Sequence, residues 1–441
     1  MPHVARTHAV VIGAGMAGLT AAQALSRHFG KVTVLERDLL PAEPAPRSGT
    51  PQARHAHMLL AGGLKALQTL FPGFERDLAE AGAVRIRTGK DIRLERPGFD
   101  PFPMRDLGFD TFCMSRPMLE AVTRSRVQQT PNIDVSVRSR VTKLIGSRDK
   151  MRVEAVLYDS EDGPAVTLEA DLVVEASGRC GLTLQLLNEL SLQKPEETEI
   201  GIDQAYATTI VERPLDRGDD WLGNIVLPAA PVSSRGAFLF PIEKQRWLLS
   251  IGGNHGDAPP GDRTGFMDFV KSLRTPTIYD AIKDARPLTD IARYQLPCST
   301  RRHFERLESF PAGLLAIGDA LCRFNPVFGQ GMSVAAQEAV LLDRLLAEDI
   351  PIERLAPDFF AGIQSTIETP WGVAVTDFVY PATRGIRPPD LAQRLQYGMA
   401  LTKLAAQDPE VHLLLAEVSQ LLKPQAALRE PMLAARVVSL M

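Results

Sequence analysis

Three glycines in the spacing GxGxxG, Gly13-Ala14-Gly15-Met16-Ala17-Gly18, sit directly behind an apolar run at 9–12 and ahead of a helix-periodic segment at 17–29. Few patterns restrict a fold more. An unbroken apolar run marks a strand buried on both faces, as in a parallel sheet. Gly13 permits the tight turn, Gly15 lets backbone approach a diphosphate, and Gly18 lets helix and sheet pack closely. The helix then presents the positive end of its dipole to the diphosphate. A second strand follows at 31–35, and Glu36 closes it 23 positions after Gly13. A carboxylate there accepts hydrogen bonds from ribose hydroxyls and disfavours a 2′-phosphate. The chain therefore opens with a Rossmann-like dinucleotide-binding unit.

At 441 residues the chain is long enough for two or three domains and a large core without staples. Its 49 basic and 53 acidic residues leave a net charge of −4, so there is no basic excess to bind nucleic acid. No apolar stretch approaches the length of a transmembrane helix, and the N-terminus lacks the pattern of a secretory signal. Cys113, Cys180, Cys298 and Cys322 lie far apart without CxxC or zinc spacing. Reduced thiols in a cytoplasmic protein, with no bound metal, are the expectation.

GxGxxG with Glu36 does not distinguish NAD from FAD. Two later segments do. Leu314-Leu315-Ala316-Ile317-Gly318-Asp319 reads as a buried strand ending in an aspartate that can hold a polyol hydroxyl, and Asn325-Pro326-Val327-Phe328-Gly329-Gln330-Gly331-Met332 follows as a glycine-rich helix start. Free N–H groups at such a start favour negative charge on a reduced flavin. The strand 171–175 runs into a small-residue turn, Ala176-Ser177-Gly178. Further strands are expected at 135–144, 152–158 and 165–168, a β-rich stretch over 200–255, and helices at 57–70 and after Ser115, with Ser115 as N-cap and Pro117 in the first turn.

These three motifs, in this order, resemble the single-component FAD-dependent monooxygenases of the para-hydroxybenzoate hydroxylase fold, over about residues 6–345. Ser177-Gly178 stands where that family usually has Asp-Gly, which resembles the branch that epoxidises polyketide and terpenoid alkenes, and some halogenase and reductase relatives. The loop Arg47-Ser48-Gly49-Thr50-Pro51-Gln52-Ala53-Arg54-His55-Ala56-His57 is similar to that branch's loop beside the flavin.

The resemblance implies an α/β (α+β overall) chain. A discontinuous FAD-binding domain (1–180 and 300–350) carries an inserted, mostly antiparallel substrate-binding sheet (181–299), followed by a helical region (351–441). It implies FAD contacts from the glycine motif (Gly13, Ala14, Gly15, Met16, Ala17, Gly18), Glu36, Arg37, Arg47, Arg116, Val141, Ser177, Gly178, Gly318, Asp319, Gly329, Gln330, Gly331 and Met332. Arg47 is expected on the phosphates, and Pro51, Gln52, Pro326 and Gly329 near the reactive ring. By residue type alone, Arg47 and Arg116 read as solvated surface arginines. No catalytic acid or base stands out.

The activity implied is reduction of FAD by NADPH or NADH, addition of O2 at flavin C4a, and transfer of oxygen from that hydroperoxide to a hydrophobic small molecule by epoxidation or hydroxylation. Phe238, Phe240 and Trp247 are the apolar candidates for substrate contact, and core packing explains each equally well. His55 and His57 are badly spaced for one metal, and packing or a helix start accounts for them. The Leu/Ala-rich C-terminal helices are expected to pack on the FAD domain, with peripheral membrane contact the lesser reading. The competing activities are an FAD-dependent reductase of isoprenoid double bonds and a flavin-dependent halogenase. The halogenase's Trp-x-Trp-x-Ile-Pro element meets only Gly236-Ala237-Phe238-Leu239-Phe240-Pro241 here. An FAD-binding protein without turnover is a third reading.

Overall fold

Five parallel strands form the central sheet in the order Leu314–Ala316, Leu172–Glu175, His8–Ile12, Lys31–Leu35 and Ile133–Ser136. Val10, Val11, Val32, Val34, Val173 and Val174 have no exposed surface, which is why these strands read as unbroken apolar runs. The computed structural model describes residues 6–161, 163–214, 218 and 220–441. Residues 1–5, part of the N-terminal reading, lie outside them. One face of the sheet is covered by the helices Met16–Ser26 and Gly331–Ala347. The other is covered by a three-stranded antiparallel sheet, Ser139–Gly146, Val153–Ser160 and Val166–Glu169, whose Leu144, Val153 and Val156 pack on Val10, Val173 and Leu314.

The strand expected at 135–144 is two strands. The chain leaves the central sheet after Ser136, turns at Arg138 with φ 52°, and enters the covering sheet at Ser139. The helix expected from 57 begins only at Ala61. Leu59 pairs as an isolated bridge with Phe112, and the Thr111 hydroxyl donates to the Leu59 carbonyl at 2.6 Å. Those contacts hold residues before 61 out of the helix, and Gly62 and Gly63 give its first turn little propensity to extend backwards.

A seven-stranded sheet stands beside this domain, in the order Cys322–Arg323, Ala292–Arg302, Glu197–Glu212, Arg246–Gly253, Gly236–Ile242, Gly223–Val226 and Ile92–Glu95. All its pairings are antiparallel except the last, where Ile92–Glu95 adds in parallel at the edge. The segment 181–299 supplies most of this sheet, and strands from before and after it complete both edges.

The C-terminal helices divide. Phe359 and Phe360 of Ile352–Gly362 join the core of the parallel-sheet domain. Leu391–Gln407, Pro409–Ser419 and Pro431–Val438 build a separate core around Ala400, Leu401, Leu404, Val411 and Val437, and Phe102 from the edge of the large sheet completes it. The pattern of these last helices suggests packing on the nucleotide-binding unit, and they meet it at one point, where the Gly62 N–H donates to the Gln420 carbonyl at 2.8 Å and Gln337 Nε2 to the Leu421 carbonyl at 3.0 Å. Elsewhere they roof the outer edge of the seven-stranded sheet. Among the described residues no helix is long and apolar enough to cross a membrane.

Candidate active site

The first strand ends in a turn whose geometry only glycine satisfies. Gly13 has φ +101°, and a Cβ on Gly18 would stand 1.8 Å from the Gly13 carbonyl oxygen. A Cβ on Gly15 would meet no atom within 4 Å, because Gly15 faces an open cleft of about 580 Å³. Gly15 is the N-cap of Met16–Ser26, and no side chain caps that helix. Its first-turn N–H groups are therefore available to a ligand.

Glu36 is buried at the rim of the cleft. It accepts from the Ala14 N–H at 2.7 Å and the Asp38 N–H at 2.9 Å. Arg47 is buried as well, against its surface reading, and pairs with Glu120 at 2.8 Å, Asp38 at 3.0 Å and Glu36 at 3.2 Å. Burial opposes its charge, yet Glu120 and Glu36 more than offset that and raise its pKa. Its Nη2 also donates to the Ala14 carbonyl at 3.2 Å, so Arg47 ties the glycine turn to the acidic loop. Arg37 and Val141 line the same cleft.

Arg116 opens the helix Arg116–Gln128, which Ser115 caps by accepting from the Met118 N–H at 3.3 Å. Its Nη2 reaches Glu120 at 3.3 Å, and its buried Nη1 has no partner. Burial pulls its pKa down. Across the cleft, the Ser177 hydroxyl donates to Glu175, which also accepts from the Thr183 N–H and so caps the helix Gly181–Glu189. Asp319 follows the strand Leu314–Ala316, and among the described residues nothing donates to its carboxylate. Burial raises its pKa although Arg323, Arg116 and Arg302 pull the other way. Gly329, at φ +67°, turns the chain into Gly331–Ala347, again with no side-chain cap, and the buried Gln330 Oε1 is unpartnered. Gln52 and Pro326 line the cleft, whereas Pro51 is exposed and lies outside its lining.

His55 ends the short helical turn Pro51–Arg54 in an extended conformation, and His57 lies on the irregular chain after it. His55 hydrogen-bonds Thr208 Oγ1 at 2.8 Å and packs edge-on to Tyr206. His57 lines the cleft, with Nδ1 2.9 Å from the His55 carbonyl oxygen. A carbonyl only accepts, so Nδ1 carries the proton and Nε2 is a bare acceptor. Burial, then the Arg116 charge, lowers its pKa to about 3 and keeps it neutral. Among the described residues no group of three acidic, histidine or cysteine side chains could hold a metal, and all four cysteines are free.

A second cavity of about 1190 Å³ lies between the outer strands of the large sheet and the C-terminal helices. Ile86, Cys113, Ile225 and Phe240 line one end, Leu94, Phe102 and Leu401 another. Met58 is the wall between cavity and cleft: it lines the cavity, and a Cβ on Gly329 would come within 3.0 Å of it. Of the three aromatic candidates, Phe240 lines the cavity and Phe238 packs beside it at 5.8 Å. Trp247 points to the opposite face of the sheet, into a core with Leu239 and Leu249, and donates to the Leu222 carbonyl at 2.9 Å. It does not line the cavity.

The family model described as FAD binding domain matches residues 6–351. The chain belongs to that family. Protein Rv3254 of Mycobacterium tuberculosis (strain ATCC 25618 / H37Rv) is 35% identical over 351 residues, covering 77% of this chain and 73% of the relative. Squalene epoxidase 3 of Arabidopsis thaliana is 25% identical over 350 residues, covering 76% of this chain and 59% of the relative. The flavin-dependent brominase Bmp2 shares the fold, with a TM-score of 0.66, 16% identity and 94% of each chain covered. The protein is an FAD-dependent oxidoreductase of the monooxygenase class. The cleft suits FAD: Arg116 Nη1 and Gln330 Oε1 are unmet polar atoms on lining residues, Asp319 offers a free carboxylate, and Gly15 leaves the space a diphosphate needs.

Glu338, inside the helix Gly331–Ala347, escaped the sequence reading. It is fully buried beneath the cleft, accepts from the Gly318 N–H at 2.6 Å, and has an unpartnered Oε1. A lone carboxylate among Val334, Ala335, Ala336 and Ala339 was the available signal. Burial raises its pKa from 4.5 to about 8. Between those values the folded FAD-free chain holds a proton that the unfolded chain lacks. Stability therefore falls as pH rises through this window, by up to about 1.4 kcal/mol per unit. Glu338→Gln keeps the acceptor and removes the titration. Its denaturant midpoint is expected to vary less from pH 5 to pH 8 than that of the unsubstituted protein (a window of about 3 units). Parallel profiles for the two proteins contradict the assignment.

Proposed function

We propose that this protein is a single-component monooxygenase that draws electrons from NADPH or NADH and places one oxygen atom of O2 into a hydrophobic small molecule of the polyketide, terpenoid or aromatic kind. The observation that carries the reading is the large apolar cavity abutting the FAD cleft across Met58 and Gly329. FAD, when bound, supplies the redox and oxygen-activating chemistry. The chain positions and shields it. Arg116 and the first turn of Met16–Ser26 hold the diphosphate, Asp319 takes a polyol hydroxyl, and the uncapped start of Gly331–Ala347 faces negative charge on the ring. His57 Nε2 accepts from a donor on the cofactor. Met58, Ile86, Cys113 and Phe240 keep the reacting end dry.

Epoxidation is the better-supported chemistry. Hydroxylating a phenol benefits from a base beside the ring. Among the described residues the cavity lining has only two acidic or histidine side chains, Asp390 and His412, and both belong to the C-terminal helical region that roofs it. Burial and the Arg105 charge lower His412 to about 4, so it is a weak base, while burial raises the Cys113 thiol to about 12 and keeps it protonated. Addition of oxygen across an alkene needs no such base. The test is turnover with NADPH or NADH under isotopically heavy O2 and a panel of apolar alkenes and phenols. A product heavier by one labelled oxygen is expected. A saturated product without oxygen makes the protein a reductase.

A further inference from the structure

Charge is distributed unevenly around the large cavity. Its lining holds three arginines, Arg96, Arg394 and Arg429, and one carboxylate, Asp390, already paired with Arg394 at 2.9 Å. Arg394 and Arg429 are exposed. Arg96 is not: it directly follows the edge strand Ile92–Glu95, partly buried, with its guanidinium 5.8 Å from the centre of the Phe102 ring. Among the described residues, that guanidinium has no ion pair and no hydrogen-bond acceptor. The carboxylates next to it in sequence are engaged elsewhere. Glu95 binds Arg93 at 2.7 Å and the hydroxyls of Thr275 and Thr277, and Asp100 binds Arg274. Burial alone acts on its pKa, downward. Two other partly buried arginines are answered: Arg47 by three carboxylates, Arg105 by the carbonyls of Ala405 and Ala406.

Partly buried beside the Phe102 ring and without a counter-charge, this guanidinium keeps its hydrogen-bonding fork free toward the cavity, and that planar fork matches a carboxylate through two parallel hydrogen bonds. We propose that the cavity takes an apolar carboxylic acid, with the carboxylate on Arg96 and the apolar body running toward Met58 and Gly329. This rests on reading the cavity as the monooxygenase's substrate site. The sheet sets the reach: from the strand of Phe240 to that of Ile92–Glu95 is two strand spacings, about 10 Å. Arg96 therefore anchors the end of the substrate remote from the reacting carbon, and selects for an acid without taking part in the chemistry.

The test is equilibrium binding of dodecanoate and of its methyl ester to the oxidised, FAD-loaded protein, at a pH where the acid is ionised. The unsubstituted protein is expected to prefer the acid by about tenfold or more, Arg96→Met to lose that preference while keeping its affinity for the ester, and Arg96→Lys to retain part of it. Equal binding of acid and ester by the unsubstituted protein, binding of neither, or an acid preference surviving in Arg96→Met overturns the proposal. Should Arg96→Met lose its flavin or its fold, the acid–ester comparison in the unsubstituted protein and in Arg96→Lys still decides. Binding is read without reductant, so the monooxygenase reading fails separately, when the reduced flavin reacts with oxygen without a transient under every ligand condition.

Discussion

Gly15→Val yields a protein that folds and carries almost no flavin. A Cβ at residue 15 meets nothing within 4 Å, so the side chain enters the open cleft without disturbing its neighbours. The backbone there, at φ −75° and ψ −178°, is extended and open to valine. Valine is a poorer N-cap than glycine, a cost of about 1 kcal/mol. It also fills the space through which the backbone reaches the diphosphate. Flavin absorbance per chain is expected to fall to less than about a tenth of that of the unsubstituted protein, with the far-ultraviolet circular dichroism unchanged. Gly18→Val is the contrast. Its Cβ lies 1.8 Å from the Gly13 carbonyl oxygen, a backbone atom that cannot move without separating helix from strand. That strain costs about 3 kcal/mol or more, and both flavin and melting temperature are lost. Flavin retained by Gly15→Val, or a stable Gly18→Val, contradicts this account of the turn.

Asp319→Ala likewise separates cofactor binding from stability. The carboxylate faces the cleft with no donor of its own, and burial raises its pKa. The folded FAD-free chain thus loses stability as pH rises from the unfolded value of 3.8 through the higher folded one, because burial disfavours the ionised group. Removing it leaves the FAD-free protein melting no lower than before. FAD loses a charge-assisted hydrogen bond, a loss of about 1.5–3 kcal/mol or roughly 10- to 100-fold in affinity. Titration of FAD into flavin-stripped protein, with parallel melting curves, reads both quantities. Unchanged affinity, or a drop in melting temperature without FAD, shows that Asp319 is structural instead.

The nucleotide-binding half was legible because its demands are local. The glycine turn, the fully buried strands and the Ser115 cap each follow from a few adjacent residues. Residue type alone places Arg47 on the surface because its three carboxylate partners come from residues 36, 38 and 120, a convergence no spacing reveals. The edge strand Ile92–Glu95 joins the large sheet through a parallel pairing with residues more than a hundred positions away. Without that pairing neither the cavity nor Arg96 can be seen. The C-terminal helices carry the same Leu/Ala pattern whether they cover the nucleotide-binding domain or the large cavity. Phe240 and Trp247 differ in face only through the strand register that sets Phe240 opposite Leu248 and Trp247 opposite Pro241.

The most direct test of the central claim is anaerobic reduction followed by oxygen. The FAD-loaded protein is mixed with NADPH or NADH in the absence of oxygen, with and without apolar ligands, and then with oxygenated buffer in a stopped-flow spectrophotometer. Bleaching of the oxidised flavin, followed by a transient species distinct from both oxidised and reduced flavin, is the predicted result. Protein that cannot be reconstituted with FAD, or reduced flavin that returns to the oxidised form with no transient under every ligand condition, contradicts the monooxygenase account.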